Sequence, residues 1–120
     1  LRVLIAEDNL DCAETTAMLL RHHGHHAQVA TDGFTALELA RAERPDVVLL
    51  DIRLPGMDGW TVASQIRKYW SHDKPLLIAV TGMARDEDRQ HSAESGIDLH
   101  LTKPVDPERL NAMLDCFARN

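Results

Sequence analysis

Five short apolar runs, separated by segments of helical periodicity, constrain this chain more than any other feature. The runs are Val3-Leu4-Ile5-Ala6, Ala27-Gln28-Val29-Ala30, Val47-Val48-Leu49-Leu50, Leu76-Leu77-Ile78-Ala79-Val80 and Leu99-His100-Leu101. The first, third and fourth are apolar at every position rather than alternating, which is the pattern of strands covered on both faces in a parallel sheet. Helical segments over 10–23, 34–43, 60–70, 85–95 and 107–119 supply the cover. Strand and helix alternate five times, so the expected fold is α/β: one (βα)5 unit with right-handed crossovers and helices on both sides of the sheet.

The segment boundaries carry matching local chemistry. Asn9 is placed to cap the first helix, and Asp106-Pro107 reads as an N-cap followed by proline at the first helical position. Gly24 and Gly96 directly follow helical segments, where a left-handed C-terminal cap favours a residue without Cβ. In the last helix Leu110, Met113, Leu114 and Phe117 form one stripe that faces the sheet. Asp58-Gly59 reads as the turn and cap into the third helix. Trp60 and Trp70, at the ends of that helix, read as packing residues.

Composition narrows the class. A chain of 120 residues, 44% apolar and 27% charged, fits one folded domain over 1–120. Thirteen basic against nineteen acidic residues give a net charge of −6, which repels a phosphate backbone and argues against direct nucleic-acid binding. No apolar run approaches the roughly 20 residues of a membrane span. Cys12 and Cys116 are too few for a disulfide scaffold, lack Cys-x-x-Cys spacing and read as free thiols in a reducing, cytoplasmic setting. The histidines of His22-His23-Gly24-His25-His26 straddle a helix end, where cationic side chains suit the helix dipole better than a metal.

The chemistry collects where the strands end. In open parallel sheets, ligands bind outside the carboxyl ends of the strands where the strand order reverses. The first run leads into Glu7-Asp8, the third into Asp51, the fourth into Thr81, and the fifth into Thr102-Lys103, whereas the second brings only Thr31 and Asp32. This asymmetry predicts the order 2-1-3-4-5, with the first and third strands as central neighbours. Glu7, Asp8 and Asp51 then converge, and three crowded carboxylates require a cation. Hard oxygen ligands favour Mg²⁺, with Mn²⁺ as an alternative. With Lys103 and the Thr81 hydroxyl, the set suits stabilisation of phosphoryl oxygens during transfer to Asp51 as nucleophile.

These residues resemble the receiver domain of two-component response regulators, a flavodoxin-like doubly wound fold. The resemblance spans the whole chain and rests on Glu7-Asp8-Asn9, on Asp51-Ile52-Arg53-Leu54-Pro55-Gly56-Met57-Asp58-Gly59, on Thr81-Gly82 and on Lys103-Pro104, each at a strand end. It implies that Asp51 accepts a phosphoryl group from a phosphohistidine on a histidine kinase or histidine phosphotransfer protein. It implies Mg²⁺ held by Asp8, Asp51 and the backbone carbonyl of Arg53, with Glu7 acting through a coordinated water. Lys103, the Thr81 hydroxyl and the Gly82 amide would take phosphoryl oxygens, and the Lys103–Pro104 peptide is expected to be cis. The only catalysis implied is the domain's own phosphotransfer and dephosphorylation.

Phosphorylation adds negative charge at Asp51, toward which Thr81 is expected to move, shifting the fourth strand and fourth helix. The family's aromatic switch position is His100 here, a departure from the usual Tyr or Phe that resembles receivers of hybrid sensor kinases. The surface of helix 4, strand 5 and helix 5 would then meet an output domain or protein, or form a homodimer. Arg53 and Met83 flank the path of hydrolytic water, and neither carries a carboxylate or amide to orient it, so a long-lived acyl phosphate is expected. The start at Leu1 and the Val105-Asp106-Pro107 sequence suggest a domain cut from a larger, hybrid-kinase-like protein.

Other readings fit less well. A phosphohydrolase of the haloacid dehalogenase type needs a second aspartate two residues after the nucleophile, where Arg53 stands. A pseudo-receiver that only binds partners would lack one of Glu7, Asp8, Asp51, Thr81 or Lys103. A flavin carrier of this topology would not place acidic residues in the loop after the first strand.

Overall fold

The computed structural model describes residues 1–70, 75–82 and 86–119, with the side chains of 86–89 left aside. Its elements run β1 (Arg2–Ala6), α1 (Leu10–His22), β2 (His26–Ala30), α2 (Gly33–Glu43), β3 (Val47–Asp51), α3 (Gly59–Tyr69), β4 (Leu76–Thr81), α4 (Asp86–Glu94), β5 (Leu99–Thr102) and α5 (Pro107–Arg119). The five strands are parallel in the order β2-β1-β3-β4-β5. All five apolar runs are strands, and the order is the one the polar strand ends imply.

Side-chain alternation divides the sheet between two cores. Val3, Ile5, Val47, Leu49, Ile78, Val80 and Leu101 face α1 and α5, where they meet Ala13, Ala17, Leu20, Leu110 and Leu114. Leu4, Ala6, Val48, Leu50, Leu77 and Ala79 face the other side, against Ala36, Ala40, Val62, Ala63 and Ile66 of α2 and α3. β3 is buried at all five positions, which explains why its sequence carries no polar alternation. Trp60 and Trp70 are half-buried and pack against this second core.

The helix starts follow the expected chemistry, with small shifts. Asn9 Oδ1 accepts from Cys12 N at 3.1 Å, and Asp106 Oδ1 accepts from Glu108 N at 3.0 Å. Asp58 Oδ1 accepts from Thr61 N at 2.8 Å, which caps α3 and starts it at Gly59. Asp32 does the same for α2, accepting from Thr35 N at 2.7 Å. Gly24 and Gly96 adopt φ of +89° and +92°. Arg44 ends α2 in the left-handed region at φ 47°, where no glycine marks the stop. Arg85, the expected first residue of the fourth helix, lies outside the described residues. Among the described residues, no helix is long and apolar enough to cross a membrane.

Gly59 ties α3 to the end of β3. Its amide donates to the Ile52 carbonyl at 2.9 Å, and a Cβ there would lie 2.6 Å from the Asp51 carbonyl oxygen and 2.9 Å from Ile52 Cα. Both neighbours are backbone, so neither can swing aside. Gly59→Ala is expected to destabilise the domain by about 1–3 kcal/mol, the range for an inserted methyl group in a packed site. Urea unfolding measures this, and an unchanged midpoint would contradict the packing described.

Candidate functional site

The parallel register brings the polar strand ends to one edge. Glu7 follows β1 directly, Asp51 ends β3 and Thr81 ends β4, and Lys103 follows β5. β1 and β3 are adjacent, and Asp51 pairs with Val80 in β4. The backbone amide of Lys103 donates to the Thr81 carbonyl at 2.8 Å, which fixes the lysine beside the end of β4. The Lys103–Pro104 peptide is cis, as expected.

Asp51 is the centre of this arrangement. Its side chain is 8% exposed, and Lys103 Nζ lies 2.8 Å from its Oδ2. The other oxygen, Oδ1, accepts from the backbone amide of Arg53 at 3.0 Å. Lys103 Nζ also reaches Glu7 Oε1 at 3.1 Å and Oε2 at 3.4 Å. One carboxylate oxygen from each of Glu7, Asp8 and Asp51 falls within a 4.8 Å group, Asp8 being the exposed member. Each charged pair at such separation costs on the order of a few kcal/mol at an effective dielectric near 20. A single ammonium does not balance three carboxylates.

Proton affinity records the imbalance. Burial pushes the Glu7 carboxyl up to about 7, helped by its hydrogen bond to Asp51 and the Asp51 charge and opposed by Lys103. Burial works to raise Asp51 as well, but hydrogen bonds from Glu7, Lys103 and the Arg53 amide hold it below the usual carboxylate range. Burial would lower Lys103, yet its bonds to Asp51 and Glu7 raise it above the ordinary lysine value. Glu7 thus retains a proton where Asp51 stays ionised, and a cation entering the cluster competes with that proton.

Among the described residues, this is the one group of three or more His, Cys, Asp or Glu side chains able to hold a metal ion. All its donors are hard oxygens, which fits a divalent cation such as magnesium. The His22–His26 tract brings no such group together, and Cys12 and Cys116 are free and exposed. A cleft of about 640 Å³ opens beside the cluster, floored by Ile5, Leu49 and Val80 and bordered by Cys12, Thr16 and Val105. It keeps Asp51 reachable from solvent despite its burial, with the exposed Lys103 on the same cleft.

The remaining expected residues divide. Gly82 is exposed just past β4, and Arg53 is exposed two residues after Asp51. His100 is half-buried on β5, in register with Ala79 and so on the α3 side of the sheet. Met83 lies outside the described residues. The sequence did not anticipate that Lys103 bridges two carboxylates, nor that the Arg53 amide holds Asp51. The second had a signal, since a carboxylate that ends a strand commonly accepts from the amide two residues on.

The whole-chain comparisons agree on one family. The family model described as the response regulator receiver domain matches residues 3–115. The chain belongs to that family, and with it to the phosphoacceptor switches of two-component signalling. It is 38% identical to protein PilH of Pseudomonas aeruginosa over 110 residues, covering 91% of this chain and 90% of that one. It is likewise 38% identical to the sensory transduction protein RegX3 of Mycobacterium tuberculosis, covering 98% of this chain and 50% of RegX3. The receiver domain of a sensor histidine kinase from Pseudomonas aeruginosa superposes with a TM-score of 0.89 at 28% identity, over 99% of this chain and 98% of that one. That structure has a magnesium ion coordinated in its active-site cleft.

The metal-free protein responds to pH through Glu7. Between the ordinary value of 4.5 and about 7, the native state holds the Glu7 proton more tightly than the unfolded chain does. The stability from this group is therefore complete below 4.5 and lost as pH rises through 7. In a chelator, Glu7→Gln is expected to flatten the fall in melting temperature across this window. An equally steep fall in wild type and variant would contradict the assignment.

Proposed function

We propose that Asp51 is the phosphoacceptor and that it takes its phosphoryl group from a phosphohistidine of a histidine kinase or histidine phosphotransfer protein. The observation that carries this reading is the Asp51 carboxylate itself: ionised, buried, and held at one oxygen by the Arg53 amide and at the other by Lys103. A carboxylate fixed in this way is aimed rather than free to rotate, and it opens onto a cleft.

In the transfer, one Asp51 oxygen attacks phosphorus in line with the bond to the donor imidazole. The oxygen–phosphorus bond forms as the phosphorus–nitrogen bond breaks, and the electron pair of the broken bond stays on the imidazole. Lys103 exchanges its carboxylate contact for a phosphoryl oxygen, and the Thr81 hydroxyl and Gly82 amide take the others. Asp8, Asp51 and the Arg53 carbonyl, with Glu7 through a water, are the groups that would hold Mg²⁺, or Mn²⁺ in its place. When bound, the cation supplies positive charge to the transferring phosphoryl group.

The product carries the signal. Added charge at Asp51 draws Thr81 inward, and β4 and α4 shift with it. The α4–β5–α5 surface then engages an output domain or protein, or a second copy of the chain. His100 lies on β5 within this surface and stands where the family uses an aromatic switch residue. A cytoplasmic location suits the free, exposed thiols of Cys12 and Cys116. The domain's own phosphotransfer and dephosphorylation are the extent of its catalysis.

Incubation with acetyl phosphate and Mg²⁺ is expected to add one phosphoryl group by intact mass, and Asp51→Asn is expected to remove it. Lys103→Ala should slow the modification by about 10²- to 10³-fold, as for loss of one donor to a developing phosphoryl charge. Modification of Asp51→Asn at the wild-type rate would overturn the reading. Replacing both Arg53 and Met83 with small polar residues should accelerate loss of the label, and an unchanged decay rate would refute their role in lifetime.

A further inference from the structure

α4 is attached to the domain differently from the other helices. α1, α3 and α5 each bury apolar side chains, such as Leu20, Ile66 and Leu114. α4 reads Asp-Glu-Asp-Arg-Gln-His-Ser-Ala-Glu, and its one apolar residue, Ala93, is exposed. Among its described side chains, 90–94, only Ser92 is buried, and it is buried completely. The helix is therefore held by a polar anchor rather than an apolar stripe.

That anchor meets Trp60. The indole Nε1 donates to Ser92 Oγ at 2.8 Å. The His91 ring stacks on the same indole, with centroids 4.0 Å apart and planes 11° from parallel. Trp60 directly follows Gly59, the residue packed against the Asp51 carbonyl and bonded to the Ile52 carbonyl. One side chain thus joins the backbone beneath the acceptor to the helix that follows Thr81.

We infer that Trp60 is a positioning residue that latches α4 in its unphosphorylated place, through the hydrogen bond to Ser92 and the stack on His91. The inference rests on the reading of Asp51 as acceptor and of Thr81 as the group that draws β4 and α4. A latch made only in the unphosphorylated state opposes the shift by its own strength, and by linkage it weakens binding of any phosphoryl mimic equally. Removing it favours the shifted state. For a single hydrogen bond the net effect corresponds to about three- to tenfold in an equilibrium constant.

The test uses beryllofluoride with Mg²⁺ as the acyl-phosphate mimic, with affinity read by calorimetry. Trp60→Phe and Ser92→Ala are each expected to bind it about three- to tenfold more tightly than the parent, the double variant no more tightly than Trp60→Phe alone, because both remove the same bond and only Trp60→Phe also disturbs the stack on His91. In Trp70→Phe, which leaves Trp60 as the sole tryptophan, saturating beryllofluoride should change the indole emission, and Ser92→Ala should abolish most of that change. Parent-like affinity in both single variants, additive effects in the double variant, or an unresponsive Trp60 would each overturn the latch. Should Trp60→Phe fold poorly, Ser92→Ala with the emission measurement decides alone. A parent that binds no beryllofluoride, or binding that survives Asp51→Asn, would instead overturn the acceptor reading, and the latch with it.

Discussion

One ammonium shared between two buried carboxylates organises this molecule. Lys103 spans Glu7 and Asp51, which enter from the first and third strands, and the lysine itself enters from beyond the fifth. Such a contact needs β1 and β3 side by side, with β1, β3 and β5 running the same way. The parallel order 2-1-3-4-5 satisfies both conditions, and it leaves β2, which brings no member of the carboxylate cluster, at the edge. The fold matters to function chiefly as the device that brings the ends of distant sequence segments to one point.

The cluster is costly for the fold that holds it. Burying like charges opposes folding, and Glu7 responds by keeping its proton until about pH 7. The two apolar cores offset this, with β3 buried along its whole length and β1 and β4 nearly so. A site that is strained by its own charge is one whose state a cation or a phosphoryl group can change. The helices around it are attached in different ways: α3 packs through Gly59 against the end of β3, whereas α4 is tied through Ser92 to Trp60.

Much of this was legible in the sequence because it follows from local rules. Continuous apolar runs such as Val47–Leu50 mark buried parallel strands, and Asn9, Asp58 and Asp106 mark helix starts by their capping chemistry. The convergence of Glu7, Asp8 and Asp51 followed from the strand order alone. What stayed hidden depends on three-dimensional packing. The left-handed Arg44 that ends α2 has no glycine to announce it, and nothing in the spacing of Trp60 and Ser92, 32 residues apart, reveals that one donates to the other. The double use of Lys103 was also unreadable, because sequence locates a lysine beside carboxylates without saying how many it touches.

Calorimetric titration with Mg²⁺ decides whether the three carboxylates at the strand ends form one site completed by a divalent cation. Saturable binding to a single site is expected, weakening below pH 7 as Glu7 takes up its proton, and lost in Asp8→Asn and in Asp51→Asn. Binding that leaves both variants indistinguishable from the wild type, or that shows no saturation, would contradict it.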